Sequence, residues 1–140
     1  MFNPSRDQAR QFLFDAWRKR REGALLTPLE DLAVQLIEKH PEFHDQLGNP
    51  ERYQDKDYAP EHGETNPFLH LMLHLSIEEQ LSIGQPHGIR AHFERLTRHF
   101  GSEHDAQHRI MECLGEMIWQ AQRTGTAPDA AVYLACLEKQ

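Results

Sequence analysis

The stretch Asn66-Pro67-Phe68-Leu69-His70-Leu71-Met72-Leu73-His74-Leu75-Ser76-Ile77-Glu78-Glu79-Gln80 decides the fold class. Asn followed by Pro is a helix-start signal. The Asn side chain accepts from free backbone N–H groups of the first turn, and Pro fits the first helical position. Beyond that start, Phe68, Leu69, Leu71, Met72, Leu73, Leu75 and Ile77 fall on nearly every side of a helical wheel. The pattern predicts a helix running to about Ile83 before Gly84, apolar nearly all round, and such a helix belongs in the middle of a protein.

Similar punctuation recurs on both sides. Asn3-Pro4 opens a first helix, with Ala9, Phe12, Leu13, Ala16 and Trp17 on one face and Gly23 at its end. Thr27-Pro28-Leu29-Glu30 reads as a capping box opening a second helix, which turns Leu29, Leu32, Ala33, Leu36 and Ile37 inward and stops before Pro41. After the central helix, a fourth spans about Gly88 to Phe100 and a fifth about Glu103 to Arg123. Gly125 and Pro128 then admit a last one, Asp129 to Leu137. Residues 41–65, with Pro41, Gly48, Asn49-Pro50, Pro60 and Gly63, interrupt this order. The expectation is an all-α protein: a compact bundle of five or six helices with one long irregular segment at about 41–65, in a single helical domain over 1–140.

The third and fifth helices carry the same triplet at the same pitch. His70, His74 and Glu78 are spaced four apart, and so are His104, His108 and Glu112, 34 residues further on. Residues four apart stand one above the other on one helix face. Each triplet is therefore a ladder of metal-ligand side chains. If successive helices run up and down, the third and fifth are parallel, which brings the two ladders level. Rungs one and three lie about 12 Å apart along the axis, too far to share one ion. A single ion takes adjacent rungs, such as His70 and His74 with His104 and His108, whereas two ions use all six. Imidazole with carboxylate suits zinc or iron, so a divalent transition metal is the expected cofactor.

Other readings stay beside this one. A buried carboxylate needs a donor or a cation, so a His–Glu network that merely fixes register explains the same residues. Gly115 on the fifth helix suggests close approach of something to the backbone. His44, Asp45, Asp55, Asp57 and His62 in the irregular segment are either further ligands or the ordinary polar residues of a loop. Helical spacing turns Arg109, Cys113, Glu116 and Gln120 toward solvent.

Charge and composition exclude several partners. A net charge of −7 disfavours nucleic acid and anionic membranes, both of which bind basic surfaces. The run Arg18-Lys19-Arg20-Arg21 falls in the last turns of a helix, where cations complement the negative end. The N-terminal residues lack a signal-peptide pattern, no apolar run reaches membrane-spanning length, and two cysteines are too few for a disulfide framework. The expected setting is a reducing cytoplasm, with a second copy or another protein as the remaining class of partner. A His-Glu-x2-His protease motif, a Gly-rich phosphate loop and a nucleophile elbow are all missing from the chain.

The segment Asn66 to Gln80 resembles a bacterial family catalogued as domain of unknown function 1841. So does the fifth helix, His104-Asp-Ala-Gln-His108-Arg-Ile-Met-Glu112-Cys-Leu-Gly-Glu116-Met-Ile-Trp119-Gln-Ala-Gln122-Arg, and the segment Gly88-Ile89-Arg90 between them looks familiar as well. The likeness covers most of the chain. It implies that these two helices matter and carries no activity with it. Function is therefore read from the ladders: a small helical protein binding a transition metal through His70, His74, Glu78, His104, His108 and Glu112, with metal-assisted hydrolysis as the accessible chemistry. The alternative is a non-catalytic protein-interaction module whose His–Glu network is architectural.

Overall fold

A computed structural model describes residues 5–58 and 65–140. Within these residues the chain is helical, with no strand. The order is α1 (Arg6–Glu22), α2 (Pro28–Glu38), a 3-10 turn (Pro41–Phe43), α3 (His44–Leu47), α4 (Pro50–Tyr53), α5 (Pro67–Ile83), α6 (Ile89–Phe100), α7 (Glu103–Thr124) and α8 (Ala130–Glu138). The all-α expectation holds, but five or six helices is too few. The two extra helices and the 3-10 turn lie in the segment that reads as irregular. The chain forms two compact units, Met1–Leu75 and Ser76–Gln140, and the boundary falls inside α5. None of the described helices is long and apolar enough to cross a membrane.

In the first unit, local signals set the helix ends. Ser5 caps α1 through Gln8 N–H, while the Gln8 side chain accepts from the Ser5 backbone; Asn3-Pro4 lie outside the described residues. Gly23 closes α1 in the left-handed region at φ 72°, where a side chain would be strained. Thr27 and Glu30 form the expected capping box on α2. The core of this unit gathers Leu13, Phe14 and Ala16 of α1, Ala33, Val34, Leu36 and Ile37 of α2, and Phe68, Leu71 and Leu75 of α5. Phe43, Leu47 and Tyr53 of the short helical turns join them.

Those turns have little helix propensity of their own, since each is only three or four residues long. Tertiary bonds hold them. Arg10 of α1 is buried and donates to the carbonyls of Tyr53 and Gln54 at 3.0 and 2.9 Å, which satisfies the end of α4. Its guanidinium lies over the Phe68 ring at 4.7 Å. Asp45 accepts from the Tyr53 hydroxyl at 3.0 Å. The basic run at the end of α1 is engaged in ion pairs: Arg18 with Glu22, Lys19 with Glu30 and Arg20 with Glu38.

In the second unit, Arg90 donates to the carbonyls of Leu81 and Ser82 at 2.8 and 2.7 Å, closing α5 at its C-terminal end. Gly84 there has φ 70°, and a Cβ would meet the Arg90 guanidinium at 3.2 Å, so this glycine serves both backbone and neighbour. Tyr133 of α8 is buried and donates to Gln80 at 2.7 Å; burial raises its pKa. Cys113 of α7 and Cys136 of α8 form a disulfide with Cα atoms 5.5 Å apart. Cys113 is fully buried rather than turned to solvent, because this link brings its face of α7 against α8. Among the described residues nothing lies within 4 Å of a Cβ position at Gly115, so none of them makes the close approach that its glycine suggests.

The buried capping box yields a first prediction. Glu30 accepts from Lys19 Nζ at 2.8 Å and from the Thr27 N–H at 2.9 Å; these bonds, Lys19 first, hold its pKa below the usual value of 4.5. A lowered pKa means that the stabilisation is complete above the unfolded value and fades as pH falls through the lower, folded one. Glu30→Ala should cost about 1–2 kcal/mol near neutral pH in denaturant unfolding. The difference from wild type should shrink on acidification below about pH 4.

Candidate metal centre

The site begins where α2 stops. Pro41 disfavours the helical region for the residue before it, and His40 leaves the helix at φ −125°, ψ 66°. Helix ends leave carbonyls without partners. His40 Nδ1 lies 2.7 Å from the Leu36 carbonyl, which also receives the Lys39 N–H at 3.2 Å, and is the closer of its two donors. A carbonyl can only accept, so Nδ1 carries the proton and the neutral ring presents its lone pair at Nε2. Phe43 stacks on the His40 ring at 5.2 Å with planes 3° apart. His40 is 2% exposed, so this orientation is fixed by packing as well as by the bond.

Helix α5 brings two more rings to the same place. Asn66 Oδ1 accepts from the N–H groups of Phe68 and Leu69, which starts α5 as its sequence predicts. His70 and His74 then share a face, their ring centroids 4.9 Å apart. The His40 ring centroid is 4.8 Å from that of His70 and 4.9 Å from that of His74. His70 Nε2 lies 3.1 Å from His40 Nε2, and His74 is fully buried. His40 and His74 each offer a ligand nitrogen, the two atoms lying within 4.8 Å of each other. Three imidazoles thus converge in the first unit.

The second unit holds the other pair. Ser102 caps α7 through Asp105 N–H, and the His104 and His108 rings stand 4.2 Å apart at 63°. These two residues also offer ligand nitrogens within 4.8 Å of each other. Four histidines, as two pairs, therefore have the spacing needed to share an ion within each pair.

The carboxylates of the ladders behave differently from the histidines. Glu78 is half-buried and accepts from Gln107 Nε2 at 2.6 Å, a bond within the second unit. Glu112 is exposed and pairs with Arg109 at 2.9 Å. Helix α7 buries Ala106, Gln107, Ile110, Met111, Cys113 and Leu114, which swings Glu112 and the 55% exposed Trp119 outward. Among the other candidates, His44 Nε2 donates to the Ile37 carbonyl at 2.9 Å and its ring packs on Trp17. Asp57 pairs with Arg6, and His62 lies outside the described residues.

His40 is the member of the group that helical spacing misses. It belongs to no ladder and sits beyond the end of α2. Its one local signal is the His-Pro pair at a helix terminus, where a side-chain donor is needed. The two kinds of carboxylate give a paired prediction. Gln107→Leu removes the donor of a half-buried carboxylate and should destabilise by about 1–3 kcal/mol in urea unfolding. Glu112→Gln breaks an exposed pair and should stay within about 0.5 kcal/mol of wild type.

The sequence profile of a family described as "Domain of unknown function (DUF1841)" matches residues 5–139. No curated protein and no solved structure matches the chain.

Proposed function

We propose that this chain, which belongs to the DUF1841 family, binds a divalent transition metal through its histidine pairs, His40 with His74 and His104 with His108. The single observation that carries the reading is the His40–Leu36 bond. Metal-binding histidines commonly donate their second ring N–H to a carbonyl or carboxylate, which fixes the tautomer and aims the other nitrogen. His40 is arranged in this way before any ion arrives.

Neutral nitrogen donors suit zinc, iron, nickel or copper, with zinc or iron as the first candidates. Of the ladder residues, His74, His104 and His108 are proposed ligands. His70 stands beside His40, and Glu78 and Glu112 are engaged by Gln107 and Arg109. A pair of imidazoles leaves positions on a tetrahedral ion open to water, and metal-assisted hydrolysis is the chemistry that such an open position serves.

The competing reading is an interaction module with an architectural network. It is supported by the His70–His40 and Gln107–Glu78 bonds, which satisfy buried groups without an ion. Titrating untagged, metal-free protein with zinc, iron(II) and cobalt(II) separates the two. Metal binding predicts stoichiometric retention of an ion and, at a free concentration one hundred times Kd, about 2.7 kcal/mol of added stability. His74→Ala with His108→Ala should abolish both effects. Failure to retain any of these ions, with His74→Ala costing about 1–3 kcal/mol whether or not chelator is present, would establish the architectural reading instead.

A further inference from the structure

Building on the metal reading above, we infer that His70 is the internal competitor of the ion: it occupies the coordinating nitrogen of His40 by a hydrogen bond and thereby sets the metal affinity. His40 Nδ1–H is committed to the Leu36 carbonyl at 2.7 Å, which leaves the lone pair at Nε2. His70 Nε2 stands 3.1 Å from that lone pair. Two lone pairs would repel at this distance, so His70 contributes N–H and His40 accepts.

One lone pair cannot serve a hydrogen-bond donor and a metal ion together. When the ion takes His40 Nε2, the bond from His70 breaks and the ion–nitrogen bond replaces it. No proton is released in this exchange, because His70 keeps its N–H and changes only its acceptor. The surroundings decide which ring yields. His40 is clamped by the Leu36 bond and by the Phe43 stack, and is 2% exposed. His70 is only half-buried and follows Leu69, which is 54% exposed, so its released N–H can reach water. Phe43 meets His70 edge-on at 5.4 Å and stacks on His40, so it does not hold the two rings in the same way.

The test compares His70→Phe and His70→Leu, which lack the donor, with His70→Gln, which keeps one. Zinc affinity is read by competition with a chromophoric chelator on the full-length chain, and melting is measured with and without zinc. His70→Phe and His70→Leu should bind zinc about fivefold tighter than wild type, the worth of one net hydrogen bond. Without metal they should melt lower than wild type, and with zinc bound the difference should close. His70→Gln should restore wild-type affinity, which a purely space-filling role would not require. Weaker binding by His70→Phe and His70→Leu would make His70 a ligand and overturn the inference, as would unchanged affinity in all three variants. A wild-type chain that takes up no zinc at all would overturn the metal reading and the inference with it, a result distinct from either of the others.

Discussion

The bond from His40 Nδ1 to the Leu36 carbonyl links the fold of the first unit to its chemistry. A helix that ends inside a protein leaves carbonyls that must find donors, and Pro41 makes this ending abrupt. The imidazole supplies the closer solution with one nitrogen, at 2.7 Å against 3.2 Å for the Lys39 N–H on the same carbonyl. Because a neutral ring has only one N–H, that solution fixes a lone pair on the other nitrogen and buries it beside His70 and His74. Asn and Ser also carry groups able to donate to a carbonyl. Neither would leave an aimed imidazole nitrogen behind.

Much of the secondary structure is legible because helix ends are local events. Thr27-Pro28-Leu29-Glu30, Asn66-Pro67, Gly23, Gly84 and Gly125 each mark a boundary through the chemistry of a few adjacent residues, and the structure places helix ends there. The short helices between Pro41 and Tyr53 are not legible in this way. They depend on Arg10, more than forty positions earlier, to satisfy their last carbonyls. A proline-broken stretch looks irregular when the residue that completes it is far away in sequence.

The angular assignment of α7 shows a second limit. Helical periodicity fixes which residues share a face, but only tertiary partners decide which face turns inward. The Cys113–Cys136 disulfide binds that side of α7 to α8, and Glu112 is carried out to Arg109. The ladder His104, His108, Glu112 is thereby split: its imidazoles stand together and its carboxylate does not join them. The same disulfide bears on the surroundings the chain tolerates. Such bonds persist in oxidising compartments, whereas cysteine count alone suggests a reducing one.

Charge sets the remaining constraint on a histidine centre. Imidazole ligands are neutral, so an ion held by them alone keeps its full charge, and burying a charge without a counterion is costly. His40 and His74 are almost wholly shielded from water, which leaves little solvent to share that cost. The nearest carboxylate along α5 is Glu78, one helical turn beyond His74 and itself half-buried. Gln107 donates to it at 2.6 Å and keeps it from being an unpartnered charge in the interior. A carboxylate steadied by a neutral amide retains its negative charge, whereas one paired with arginine or lysine would already be neutralised. On the proposed metal reading Glu78, the third rung of the α5 ladder, acts as counter-charge rather than ligand, which is how a carboxylate supports neutral imidazoles without joining them.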